Sequence, residues 1–311
     1  MTQLRFDGRT AIVTGAGGNP SLGRAHALLL ASRGANVVIN DIGISKAPHY
    51  EGQASAEAVA AEIRAAGGKA VADTHSVADE HGAAAIVQSA LDAFGSVDIV
   101  INNAGISIAA AVDEMTPADF RLHIEVNLLG PWYLARAAWP HMKAAGYGRI
   151  VNITSGSMAG YANQAAYASS KGGLWSLTRT LATEGIPLGI KANAVNPGAF
   201  TRMVAATLQA DSPLLEFSRD NLPPELSSPA VAFLAHEQCP VTGECIESVG
   251  GEVFRHYMAR TPGIADRDHT IETLVARWDE IMAGASDGLI GLAGHDTSGW
   301  KVRPYQGALR D

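Results

Sequence analysis

Tyr167 and Lys171 frame the stretch Tyr167-Ala168-Ser169-Ser170-Lys171, a spacing that puts both side chains on one face of a helix, one turn apart. A phenol beside an ammonium is a proton-transfer device. The cation favours phenolate over phenol and draws the phenol's pKa toward neutrality, as an alcohol oxygen exchanging a proton during oxidation requires. The spacing alone is cheap, and its position makes it informative. An apolar run ends just upstream in Thr154-Ser155. Ser155 would therefore sit at the carboxyl end of a strand, where open α/β sheets bind ligands, with its hydroxyl free to hold a substrate oxygen. The bland alternative is a serine that caps a turn.

A second group of residues could hold a dinucleotide. Thr14-Gly15-Ala16-Gly17-Gly18-Asn19-Pro20-Ser21-Leu22-Gly23 follows an apolar strand and opens a helical pattern. Glycines there let backbone amides approach a pyrophosphate at the helix N-terminus. Gly15, Gly17, Ser21, Leu22 and Gly23 are the candidate contacts. Asp41 ends the second strand, where a carboxylate accepts hydrogen bonds from an adenosine ribose and repels a 2′-phosphate, which favours NAD over NADP. A turn-capping Asp is the competing explanation. Asn102-Asn103-Ala104-Gly105 ends the fourth strand; Asn and Gly make ordinary turns, but Asn103, Ala104 and Gly105 would lie beside the same loop. Asn127 falls inside an apolar helical stretch, where a buried amide requires partners.

The elements that must position these groups are legible in the pattern. Short apolar runs ending in Gly, Asn or Asp alternate with Ala-rich amphipathic stretches, the rhythm of β-α units on a doubly wound parallel sheet. Seven strands are expected, near 10–14, 36–41, 70–74, 99–102, 149–154, 191–195 and 244–249. Helices are expected near 22–33, 55–66, 79–94, 117–145, 164–185 and 227–236. The fold class is thus α/β, Rossmann-type, with helices on both faces. A catalytic domain over 1–252 would be followed by an extension over 253–311 that serves as a lid or an oligomer contact. Two stretches break the rhythm: the loop Ile42 to Ala54, long for a βα connection, and the tail. The tail carries Ile271, Leu274, Val275, Trp278, Ile281 and Met282 at helical spacing, an apolar stripe that must cover something.

Composition excludes several function classes. The 311 residues are 47% hydrophobic, with a net charge of -8 and a pI near 5.7, so nothing attracts phosphate backbones or anionic lipid broadly. Neither nucleic acid nor membrane is an expected partner. No apolar run approaches the ~20 residues of a spanning helix. The first residues carry no pattern of a cleavable leader, and a cytoplasmic location is expected. Cys239 and Cys245 are read as reduced thiols. No His-Glu-x-x-His or Cys-x-x-Cys occurs, and no metal is expected.

In order from Thr10 to about Gly251, these motifs resemble those of the short-chain dehydrogenase/reductase family: the Gly-rich loop, Asp41, Asn102-Asn103-Ala104-Gly105, Asn127, Ser155, Tyr167 with Lys171, and Asn196-Pro197-Gly198 with Thr201. Within it, Asn40-Asp41-Ile42-Gly43, Ala137-Ala138-Trp139-Pro140-His141-Met142-Lys143 and Thr201-Arg202-Met203 are similar to the hydroxyacyl-CoA dehydrogenase part of multifunctional enzyme type 2 and to hydroxysteroid dehydrogenases. The resemblance implies an NAD-dependent enzyme interconverting a secondary alcohol and a ketone. Tyr167 would be its acid/base, Lys171 would bind the nicotinamide ribose, Ser155 would orient the carbonyl, and Asn127 would hold a relay water. Pro197, Gly198 and Thr201 would meet the nicotinamide end. Three departures stand out. Asn19-Pro20 is inserted, with Ser21 where a glycine is usual. His75, beside the candidates Ser76 and Val77, replaces an adenine-contacting Asp. Ser155 lies one residue closer to Tyr167 than usual, leaving Thr154 as a lesser candidate.

Rival readings are an enoyl reductase, disfavoured because position 174 is Leu where its Lys would stand, and a non-catalytic dinucleotide-binding regulator, which has no need for a tuned phenol. The segment Ala199 to Leu222 should form a lid. Its Phe200, Met203, Val204, Leu208, Leu214, Leu215, Phe217 and Leu222 suit an apolar alcohol or ketone, such as a steroid, terpenoid or 3-hydroxyacyl chain, better than a sugar, and a small polar or cyclic alcohol is the alternative. Trp132, Trp139, Leu174, Trp175 and Leu177 exceed what one sheet face needs, and a homodimer or homotetramer is expected.

Overall fold

A computed structural model describes residues 3–43, 55–206 and 211–283 in full, and of 207, 289–291 and 302–304 the backbone alone. Two compact units divide the chain, Met1–Arg255 and His256–Asp311.

The first unit is built on seven parallel strands: β1 Thr10–Thr14, β2 Asn36–Asn40, β3 Lys69–Asp73, β4 Ile99–Asn102, β5 Gly148–Ile153, β6 Ile190–Gly198 and β7 Cys245–Val249. β1, β4 and β5 are buried at every position, which is why they read as unbroken runs of Ile, Val and Ala rather than as alternating patterns. An eighth strand, β8 Glu252–His256, completes the order β3-β2-β1-β4-β5-β6-β7-β8. The sequence pattern stops the sheet at β7, and the structure extends it. Gly250 and Gly251 both take positive φ, 57° and 88°, the tight turn that lets the chain double back. Arg255 then grips Glu244 through two hydrogen bonds of 2.7 and 2.8 Å.

Helices α1 Leu22–Ser32, α2 Ala56–Ala65, α3 Glu80–Phe94, α4 Pro117–Ile124, α5 Gly130–Ala145, α6 Ala165–Gly185, α7 Arg202–Thr207, α8 Pro213–Asn221 and α9 Ser228–Ala235 flank the sheet. One core cluster joins Leu30, Ile39, Ile63, Ile99 and Ile101, and Ile12 and Ile150 are fully buried as well. The strand order reverses between β1 and β4, and the loops leaving the carboxyl ends of β1, β4 and β5 converge beside that reversal, where doubly wound sheets form their ligand crevice. The expected helix over 117–145 is one rod with a π-helical turn, Glu125–Leu129, set between α4 and α5. The long loop after β2 falls outside the described residues beyond Gly43, as does Leu208.

In the second unit α10 Ile271–Ala276 and α11 Trp278–Met282 carry the expected stripe, of which Ile271, Val275, Trp278 and Met282 are exposed. A two-stranded parallel ladder pairs β9 Leu289–Gly291 with β10 Val302–Pro304. No helix among the described residues is long and apolar enough to cross a membrane.

Candidate active site and cofactor cradle

The β1–α1 loop packs against the end of β4 so closely that side chains are excluded. A Cβ on Gly15, whose φ is +63°, would lie 2.8 Å from the Ala104 Cα, and one on Gly23 would lie 2.5 Å from the Gly15 carbonyl oxygen. Asn103 laces the two segments together, its Nδ2 donating to the carbonyls of Thr14 (2.8 Å) and Gly15 (3.1 Å). The Thr14 hydroxyl accepts from the amides of Asn103 and Ala104. Ser21 caps α1, its Oγ accepting from the Arg24 amide at 3.1 Å. Leu22 and Gly23 form the first turn of α1, directly after the inserted Asn19-Pro20 and the Ser21 cap.

Asp41 is fixed by two amides: Oδ2 accepts from Gly17 and Oδ1 from Gly43, each at 2.9 Å. Its carboxylate is thereby held beside the loop, as a ribose-binding group must be. On the far side of β2, His75 stands in the place of the usual carboxylate, but a buried one lies beneath it. Asp73 accepts from the His75 ring (2.9 Å), the Ser89 hydroxyl (2.7 Å) and Asn40 (2.8 Å). Burial pushes the Asp73 carboxyl up, but these hydrogen bonds outweigh it and hold its pKa below the ordinary value. Ser76 caps the next turn through the Ala78 amide, and Val77 is buried. The residues present fit a nicotinamide dinucleotide: a cradle that any Cβ would fill, a helix N-terminus, and an oriented carboxylate.

The proton-transfer groups come together on α6 and at the end of β5. Ser155 lies two residues beyond β5, its Oγ sharing a 2.7 Å hydrogen bond with the Ser157 hydroxyl. Thr154, the lesser candidate, is occupied elsewhere. It is buried, and its hydroxyl donates to the Val195 carbonyl at 3.0 Å. Tyr167 faces Ser155, and the buried Lys171 lies with its Nζ 5.7 Å from the Tyr167 ring centroid. That ammonium donates to the Ile153 carbonyl at 2.7 Å. Burial brings Lys171 down to about 8. It also pushes the Tyr167 phenol up, with the Ser155 hydroxyl pulling the other way. The net direction for the phenol is upward, set by enclosure of the ring.

Asn127 sits in the π-helical turn. Its Oδ1 accepts from the Ile106 amide (2.9 Å), and its Nδ2 donates to the Ile106 carbonyl (3.0 Å) and the Ser170 hydroxyl (3.1 Å). Both N–H bonds of the side chain are thus committed, and the amide braces the segment that follows β4. The Gly105 Cα faces this group, and a Cβ there would lie 3.3 Å from Asn127 Oδ1 and 3.5 Å from Lys171 Nζ. Pro197 and Gly198 belong to β6, paired in register with Ser248 and Val249. The Thr201 hydroxyl accepts from the Val204 amide at the start of α7.

Sequence reasoning passed over Ser157, although in Ser155-Gly156-Ser157 it stands two residues from Ser155. It also passed over His123, whose ring meets Tyr167 edge-on at 6.4 Å. His123 is buried, Nε2 accepting from the Ile108 amide and Nδ1 facing the Asp119 carbonyl. A single histidine between Leu122 and Ile124 carried no motif to single it out. Leu174, placed by the sequence in an exposed patch, is wholly buried, whereas Trp132 is 40% exposed. Among the described residues no three His, Cys, Asp or Glu side chains gather as a metal site would require.

Residues 9–212 match the short chain dehydrogenase family. A putative short-chain type dehydrogenase/reductase of Mycobacterium tuberculosis is 42% identical over 281 residues, covering 89% of this chain and 96% of its own length. Peroxisomal multifunctional enzyme type 2 of Drosophila melanogaster is 40% identical over 285 residues, 90% of this chain, though the match spans only 46% of that larger protein. The crystal structure of a short chain dehydrogenase from Mycobacterium avium superposes with a TM-score of 0.76 at 34% identity, covering 93% of this chain and 99% of that one. With this site geometry and these likenesses, the chain belongs to the short-chain dehydrogenase/reductase family of oxidoreductases.

Proposed function

We propose that this protein interconverts a secondary alcohol and a ketone with NAD(H), acting on an apolar substrate. The observation that carries the reading is the convergence of Ser155, Tyr167 and Lys171 beside the glycine cradle. Bound nicotinamide dinucleotide supplies the acceptor or donor of the hydride that leaves or joins the carbinol carbon. The protein's own groups handle the oxygen and its proton. The Ser155 hydroxyl holds the substrate oxygen, and Tyr167 gives that oxygen a proton as the ketone is reduced and takes it back as the alcohol is oxidised. Because burial pushes the Tyr167 phenol up, the proton-donating form prevails at neutral pH and oxidation gains as pH rises. Lys171, brought down to about 8, still carries its charge on most molecules at pH 7 and has N–H groups left for a ribose hydroxyl.

Asp41 supports NAD over NADP, since its fixed carboxylate would meet a 2′-phosphate with like charge. The lid helices support an apolar substrate: Leu214 and Phe217 on α8 are 57% and 55% exposed, and Met203 and Val204 on α7 are half-buried. Exposed Phe120, Leu122 and Trp132 on α4 and α5 support a homo-oligomer. The test is turnover of NAD with steroid, terpenoid and 3-hydroxyacyl alcohols by the wild type and by Tyr167→Phe. We expect kcat to fall by at least about a hundredfold in the variant while NADH still binds. Near wild-type turnover by the variant would overturn the mechanism.

A further inference from the structure

The guanidinium of Arg202, at the start of α7, rests directly on Gly18 of the β1–α1 loop. A Cβ built on Gly18 would lie 2.8 Å from both Cζ and Nε of Arg202 and nearer still to Nη2. Among the described residues this guanidinium makes no hydrogen bond and no ion pair, although it is half-buried. No Lys or Arg occurs between Gly15 and Gly23. The neighbouring Arg24 is already spent, its Nε and Nη2 donating to Glu62 at 3.0 and 2.6 Å. A cation is thus laid against loop amides that lead into the positive end of the α1 dipole, and among the described residues no carboxylate pairs with it. Positive charge facing positive charge is unfavourable unless an anion lies between them.

We propose that Arg202 is a binding residue for the cofactor's pyrophosphate. It would reach across from α7 to supply, through a planar two-donor fork, the positive charge that the glycine-rich loop lacks. The inference rests on the nicotinamide dinucleotide reading above and adds a specific ligand to it. It also ties the first lid helix to cofactor binding, because α7 is anchored at its first residue by the phosphate it would contact. Asp41, by contrast, is hydrogen-bonded to Gly17, so the ribose is read at one glycine and the phosphates at the next.

The test measures equilibrium binding of NADH, NADPH, ADP-ribose and adenosine by calorimetry or tryptophan quenching, for the wild type, Arg202→Ala and Arg202→Lys. Circular dichroism confirms that each variant is folded. We expect Arg202→Ala to weaken NADH and ADP-ribose alike, by about 10- to 100-fold. Adenosine, which has no phosphate, should bind unchanged. Arg202→Lys should recover part of the loss, and the loss should shrink at high salt. Unchanged ADP-ribose affinity in Arg202→Ala would overturn the assignment, as would an equal loss for adenosine, which would make Arg202 a prop for the loop. A loss confined to NADPH would overturn it too, by moving Arg202 to the 2′-phosphate. A wild type that binds none of the four would instead overturn the nicotinamide reading itself.

Discussion

Lys171 is the most expensive side chain in the site, and its cost should be measurable without any substrate. Its ammonium is buried against the Ile153 carbonyl, and burial takes it from 10.5 to about 8. A pKa lower in the folded than in the unfolded state means that the unfolded chain binds more protons between those two values. Stability therefore rises with pH across that window, and the full penalty applies below about pH 8. The difference of two to three pKa units corresponds to about 3 kcal/mol of destabilisation at pH 7, of which about 2 kcal/mol is relieved by pH 9.5. Lys171→Met keeps the length and apolar stem but removes the titration. Losing the hydrogen bond to Ile153 costs the variant a fixed amount at every pH, so it cancels in a comparison across pH. The Cys245 thiol, pushed up to about 11, is common to both proteins and cancels as well. The assay is urea denaturation of both proteins at pH 7.0 and 9.5. Relative to Lys171→Met, the wild type should gain about 2 kcal/mol between the two pH values. Parallel behaviour of the two proteins would refute the claim that Lys171 is held charged and desolvated.

Other outcomes follow from the same geometry. The wild type should use NAD(H) over NADP(H) by at least about a hundredfold in kcat/KM, and Asp41→Ala should erase most of that preference; equal efficiency of the wild type with both cofactors would count against the role of Asp41. His26, buried beneath α9 with its Nδ1 2.8 Å from the Ser228 hydroxyl, is brought down to about 3 by burial. Stability associated with it is complete above pH 6.5 and drains as pH falls toward 3, by up to about 5 kcal/mol. Denaturation of His26→Leu should accordingly be less sensitive to acid in that window, and an unchanged acid profile would remove His26 as the cause.

The strands were legible because parallel strands buried on both faces leave an unmistakable run of β-branched residues, and β1 and β4 fall where the pattern puts them, at Thr10–Thr14 and Ile99–Asn102. β8 was hidden because Glu252-Val253-Phe254-Arg255-His256 lies at an edge, where Val253 and Phe254 are exposed and burial leaves no signature. The candidate site was readable wherever residue type and position coincide, as at Tyr167, Lys171 and Asp41. It was opaque wherever the tertiary environment decides. Enclosure of the Tyr167 ring pushes the phenol up, and both N–H groups of Asn127 go to Ile106 and Ser170. Arg202 meets Gly18 only because β6 carries α7 back over a loop 184 positions earlier in the chain, a meeting that no local pattern encodes.

The π-helical turn at Glu125–Leu129 makes the length of the 117–145 segment a fixed quantity. An α-helix turns by about 100° per residue, so an extra residue absorbed in one wide turn sets the angular phase between its two halves. In front of that turn His123 points inward beside Tyr167; within it Asn127 braces Ile106; behind it Leu134, Ala135, Ala138 and Met142 enter the core while Trp132 looks outward. Removing one residue would let the rod relax into regular helix, but at the cost of rotating one half against the other by about 100°. Either the brace at Asn127 would lose Ile106, or the buried face of α5 would swing away from the sheet. Substitutions along this rod are local events, whereas single-residue insertions and deletions are global ones, and the segment should accept the first far more readily than the second.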